Sequence, residues 1–138
     1  MSEISTQIRL VPNRVEIKQL RNNKMKIAVA SNVNSMDGQL DKQFGRAPGF
    51  IIFDDVSNTH KYIDNQSNKG SAQGAGIQAA QNIINSGATL LICNQCGPKA
   101  LKVLNSANVN VYISPIQSIL NCIGQYKSNA LNAMEVAQ

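Results

Sequence analysis

Tryptophan is absent from this chain of 138 residues, phenylalanine and tyrosine occur three times each, and histidine once. Aliphatic side chains must therefore fill the core, and no set of rings is available for stacking on nucleobases. Cysteine is scarce too, with three in all. An odd number argues against a disulfide framework, and a reducing compartment would keep them as thiols, so their use is ligand or redox chemistry. Long apolar runs are missing: a stretch such as residues 88–93 falls far short of the roughly 18 residues needed to span a bilayer. The polar start MSEISTQIRL lacks the apolar block of a signal peptide. The expectation is a cytoplasmic protein with no membrane partner.

What is present fits one folded domain. Hydrophobic residues make up 43% and charged residues 15%, which excludes a chain disordered throughout. The length suits a single core and is too short for two. The formal charge of +5 raises the question of nucleic acid. Arg9, Arg14, Lys18, Arg21 and Lys24, against Glu3 and Glu16, place +3 of it in the first 24 residues. The remainder has eight basic and six acidic residues with no basic stripe. Nucleic acid is excluded as the expected partner, whereas a mild positive field suits a small anion.

The first 24 residues read as a basic tail or an added strand, with Val15, Ile17 and Leu20 punctuated by Pro12, Asn22 and Asn23. MKIAVAS (25–31) is a buried-strand run. GFIIFDD (49–55) and HKYID (60–64) form a hairpin across the turn VSNT. The period then changes, and GAGIQAAQNIINSG, from Gly74, predicts an amphipathic helix with Ile77, Ala80, Ile83 and Ile84 on one face and Gly87 as its stop. Strand TLLIC (89–93), helix GPKALKVLNSA (97–107) opened by Pro98, strand VNVYI (109–113) and a weaker helix near 115–126 follow. The order β-β-β-α-β-α-β-α makes an α/β domain over 25–126 with a mixed five-stranded sheet. Residues 65–73 are a loop and 127–138 a C-terminal tail.

Ligands of such sheets lie outside the carboxyl ends of the parallel strands, where three loops meet. In QFGRAP (43–48), Arg46 supplies a permanent forked cation and Gly45 permits close backbone approach. Phe44 can equally plug the core, and Arg46 can equally make a surface ion pair. In GSAQGAG the glycines leave helix-start amides open to an anion. GAGIQA also fits GxGxxA, but the preceding strand ends well before it and no ribose-binding acid follows, so a dinucleotide is weakly supported. CNQC (93–96) lacks the two further Cys or His ligands of a zinc clip, since only Cys122 and His60 remain. Cys96 precedes a helix start, where a thiol becomes acidic, and Cys93 can be a small buried hydrophobe. Cys122 reads as core and His60 as hairpin surface. No Ser/His/Asp set or carboxylate pair stands out, so no enzyme is expected.

MKIAVAS, FGRAPGF, GAGIQAAQ and CGPKALKVL…ANVNVYI, in this order, resemble the dinitrogenase iron-molybdenum cofactor biosynthesis family over residues 25–126. The resemblance implies a ribonuclease H-like α/β fold without nuclease activity. It also implies transient binding, for storage or delivery, of a metal-sulfur cluster: Fe-S, an Fe-Mo precursor or a Mo-Cu-S species, exchanged with donor and acceptor proteins. Carried onto this chain, the cofactor-binding positions are Gln43, Phe44, Gly45, Arg46, Gly74, Gly76, Asn94 and Gly97. Many members carry His before the Phe-Gly pair, where this chain has Gln43, a poor metal ligand. It has Cys93 and Cys96 ahead of Gly97-Pro98 instead, and soft thiolates suit such clusters. The expectation is that Cys96, with Cys93, replaces the missing histidine as metal ligand while Arg46 and the amides at 74–76 balance the charge. The alternatives are a thiol redox protein using Cys93 and Cys96, and a protein-interaction scaffold.

Overall fold

A computed structural model describes residues 25–65 and 74–134; the expected tail or added strand at 1–24 lies outside the described residues. Strands β1 (Lys26–Ser31), β2 (Gly49–Asp54), β3 (Thr59–Asp64), β4 (Leu90–Cys93), β5 (Asn110–Ile113) and β6 (Asn132–Met134) form one sheet in the order β3-β2-β1-β4-β5-β6. β1, β4 and β5 are parallel, and β2, β3 and β6 are added antiparallel. The helices are α1 (Ala75–Asn85), α2 (Pro98–Ser106) and α3 (Ile119–Lys127).

Each element follows from local chemistry. The hairpin between β2 and β3 turns because the Asp54 carboxylate accepts from the N–H groups of Val56 (2.9 Å) and Ser57 (3.2 Å), while Asn58 takes the left-handed conformation at φ 59°. Gly87, at φ 85°, stops α1. Ser118 caps α3 by accepting from the Asn121 N–H at 3.1 Å. That cap starts the helix later than the 115–126 expected from periodicity. The preceding stretch is used elsewhere: the Leu40 N–H donates to the Gln117 carbonyl at 2.9 Å.

Consecutive residues of β1, β2 and β4 are buried, so both faces of the sheet centre are covered. The crossovers from β1 to β4 and from β4 to β5 advance in one direction, so right-handedness puts α1 and α2 on one face, where they pack on each other. α3, which touches β1, covers the other face.

Two expectations need correction. The sheet has six strands rather than five, because Asn132–Met134, expected within the tail, pairs antiparallel with β5; three residues are too few to show a period. α1 buries Ala75, Ala79, Ala80 and Ile83, while Ile77 is left 37% exposed. Of the expected face, Ala80, Ile83 and Ile84 meet the core, while Ile77 faces outward at the helix start and Ala75 and Ala79 are buried in addition.

Candidate functional site

The loop after β1, the start of α1 and the β4–α2 loop enclose a cavity of about 970 Å³. From the first come Lys42, Gln43, Phe44, Gly45 and Arg46; from the second, Gly74 to Ile77; from the third, Gln95 and Gly97 to Ala100. The structure therefore brings together seven of the ten expected site residues: Gln43, Phe44, Gly45, Arg46, Gly74, Gly76 and Gly97. Asn94, Cys93 and Cys96 are not in the wall.

Phe44 serves both readings, since it is buried against Phe50 with ring centroids 5.5 Å apart and also lines the cavity. Gly45 lies directly on the first turn of α1, where a Cβ would come within 2.8 Å of the Gly76 nitrogen and 2.9 Å of its Cα. Gly45→Ala must push the loop off the helix, with an expected cost of about 1–3 kcal/mol, read as a shift in a urea unfolding midpoint. Gly74 adopts φ 80°, which a side chain would strain.

The loop is held from below by Asn65. Its side-chain amide donates to the carbonyls of Gly45 (3.1 Å) and Ala47 (2.9 Å) and accepts from Asn82 Nδ2 (2.9 Å), while its N–H donates to the Pro48 carbonyl (2.8 Å). It is fully buried, although its position in a polar run read only as loop. Asn65→Asp removes both donors to the loop carbonyls and buries a carboxylate beside them, so a loss of about 2–4 kcal/mol of stability is expected by thermal denaturation.

Lys42, Arg46 and Lys99, each exposed, are the charged residues of the wall among the described residues, and none of those that line it is acidic. Two helix N-termini add to this field. Neither α1 nor α2 has a side-chain cap or an acidic residue in its first turn. The first intrahelical bonds are Gln78 N–H to Gly74 and Leu101 N–H to Gly97, at 2.9 and 3.0 Å, so the preceding amides have no intrahelical acceptor. Lys99 sits in the first turn of α2, against the helix dipole. A bound anion would resolve that conflict. Lys42, Lys99 and Gln95 were missed in the sequence; the signal available was this cation at the wrong helix end.

Asn94 instead bolts the β4–α2 loop to β5, its Nδ2 donating to the Ser114 carbonyl at 2.9 Å, while the Ser114 N–H donates to the Cys93 carbonyl at 2.9 Å. Cys93 is fully buried at the end of β4, and Cys96 is half-buried beside it. A hydrogen bond from the Cys93 thiol to Cys96, with burial and the nearby Cys96 charge, pushes the Cys93 thiol far above its ordinary range. The same bond draws Cys96 downward, against desolvation. Cys122 is buried in the core, where desolvation raises its thiol, and His60 is exposed on β3. Among the described residues, no three His, Cys, Asp or Glu side chains gather to hold a metal ion. No helix among them is long and apolar enough to cross a membrane.

With this geometry in hand, the comparisons are specific. The family described as dinitrogenase iron-molybdenum cofactor matches residues 25–129. The chain belongs to that family. An uncharacterised protein of Methanocaldococcus jannaschii is 30% identical over 122 residues, which cover 86% of this chain and 98% of the relative. The apo form of the orange protein from Desulfovibrio gigas superposes with TM-score 0.78 at 30% identity, over 81% of this chain and 94% of that one. A Thermotoga protein of the DUF35 family, solved by NMR, shares the fold with TM-score 0.72 at 24% identity, over 83% and 97% of the two chains. In this member of the iron-molybdenum cofactor family, the cationic cavity lies inside the matched region.

Proposed function

We propose that the chain is a non-enzymatic carrier that stores or delivers an anionic metal-sulfur cluster: an iron-molybdenum cofactor precursor, or a Mo, Cu or Fe-S species. The observation that carries this reading is a cavity whose described lining has three cations, two uncapped helix N-termini and no carboxylate. Membership of the family, and likeness to an orange protein described in an apo form, support a cargo of this kind. The wall also holds Phe44, Ile77 and Pro98; sulfide is soft and weakly hydrated, so cations set among apolar side chains suit it better than they suit an oxyanion.

Because Cys93 and Cys96 stand outside the wall, the cargo brings its own sulfur ligands and is held by charge and N–H donors. Cargo held in this way can leave without breaking a protein-metal bond, as delivery between donor and acceptor proteins requires. We take the sheet to be of the ribonuclease H-like type and the setting to be cytoplasmic, in line with the resemblance and the sequence.

Anaerobic reconstitution with iron and sulfide, and separately with tetrathiomolybdate with and without copper, tests the proposal after desalting, visible spectra and metal analysis. A retained chromophore of fixed stoichiometry is expected under at least one condition. Colourless, metal-free protein under all of them would contradict it.

A further inference from the structure

The carrier reading makes no use of the two cysteines, yet their placement is specific. Cys93 is fully buried, paired with Ile113 in the β4–β5 ladder. Cys96 is half-buried three residues later, immediately before Gly97 at the N-terminus of α2, where its thiol donates to the Gly97 carbonyl at 3.6 Å. One sulfur is reachable and lies beside a helix start; the other is sheltered behind it. This asymmetry suits a dithiol that exchanges with disulfides, where the outer sulfur attacks and the inner one resolves. The third thiol, Cys122, lies in the core against Ser114 Oγ at 3.5 Å and takes no part.

The segment joining the pair belongs to the cavity. Gln95 and Gly97 are both in its wall. A disulfide needs its sulfurs about 2.05 Å apart with a defined dihedral, whereas both thiols are free and the Cys96 thiol is directed at the Gly97 carbonyl. Cys93 is locked in the ladder, and Asn94 is tied to Ser114, so the adjustment falls on residues 95–97. Closing the bond therefore moves cavity wall.

We propose that Cys93 and Cys96 are a thiol-disulfide switch set behind the wall of the anion cavity, which reacts with a small-molecule disulfide and thereby changes the hold on the anion. The Cys96 thiolate attacks one sulfur of the disulfide RSSR, a Cys96–SR bond forms, and RS⁻ leaves and is protonated. Cys93 then gives up its proton and attacks Cys96 Sγ; the Cys93–Cys96 bond forms and the second RS⁻ leaves. The protein dithiol is oxidised by two electrons, and RSSR is reduced to two RSH. The Cys96 thiol, drawn toward the thiolate, and the Cys93 thiol, held protonated, agree with these roles. The effect on the anion rests on the carrier reading; the exchange chemistry does not.

The test equilibrates the full chain anaerobically in mixtures of glutathione and glutathione disulfide, quenches with acid, denatures, alkylates and measures intact mass. Reduced protein should carry three alkyl groups; oxidised protein should carry one, mapped to Cys122, with two hydrogens lost. Cys93→Ser should trap a glutathione adduct on Cys96, and Cys96→Ser should form neither species. Three alkyl groups at every ratio, or a persistent adduct on the unmutated chain, overturns the exchange. In the second arm, tetrathiotungstate, whose metal is hard to reduce, is titrated into both forms without added thiol. A change in Kd of about tenfold, typical of coupled sites, is expected, and equal affinities overturn the coupling. No binding to either form overturns the carrier reading and the coupling with it, while the alkylation count still judges the cysteine pair.

Discussion

Replacing Lys42, Arg46 and Lys99 together by Ala is expected to weaken tetrathiomolybdate binding by about three orders of magnitude, from roughly 1.4 kcal/mol for each charge-assisted contact in an open cleft. All three side chains are exposed and come from two segments more than fifty positions apart, so their common property is the cavity they face. The fold should hardly notice, because exposed charges contribute little to stability. Arg46→Ala should cost more than Lys42→Ala, since a planar guanidinium can donate two parallel bonds to adjacent sulfur or oxygen atoms. The same charge removal at Lys61 and Lys102, outside the wall, should leave binding nearly unchanged. Raising the salt shortens the screening length from about 30 Å at 0.01 M to about 3 Å at 1 M and should move the unmutated protein in the same direction as the triple variant. Equilibrium titration with a circular dichroism melt of each variant checks both halves.

Gly97→Asp is expected to move stability and binding in opposite directions. Gly97 is the N-cap of α2 in an extended conformation that any residue adopts, φ −69° and ψ 160°, and a Cβ there meets nothing within 4 Å. An aspartate cap accepts from first-turn amides and complements the dipole, so a gain of about 0.5–1 kcal/mol is expected. The carboxylate then occupies the donors meant for the cargo and puts a negative charge among described wall residues that carry none. Binding should fall by at least about tenfold. A site whose vacancy at the cap served only the fold would gain stability with no loss of affinity. The uncapped N-termini thus read as stability given up for ligand.

The contrast between what the sequence made legible and what it hid has a physical pattern. The hairpin and both crossovers could be read because GFIIFDD and TLLIC are short, unbroken apolar runs bounded by polar residues, while the stretch after Gly74 carries a helical period. The loops QFGRAP, GSAQGAG and CNQCGP could be placed near one another because parallel strands send their carboxyl ends to one side. β6 could not be read from three residues, nor Asn65 from a polar run, since a buried amide looks like any surface asparagine until its carbonyl partners are known. The exposure of Ile77 was hidden because isoleucines dominate a hydrophobic count, while the close approach of Gly45 to Gly76 brings the small residues of the first turn inward. Lys42 had no local signature and Lys99 only its place at the wrong helix end, and their meaning comes from lining the same cavity as Arg46. For the cysteines, spacing alone could not tell that Cys93 is fully buried at the end of β4 while Cys96 is half-buried before α2.

The central claim is that an anion sits between the starts of α1 and α2, and backbone amide NMR tests it most directly. Titrating the ¹⁵N-labelled full chain with tetrathiomolybdate should shift the amides of Gly45, Arg46, Gly76, Ile77, Lys99 and Ala100 together, saturating at one stoichiometry and one affinity. Shifts confined to the β3 edge around His60, or shifts at neither helix start while metal is retained, would contradict it.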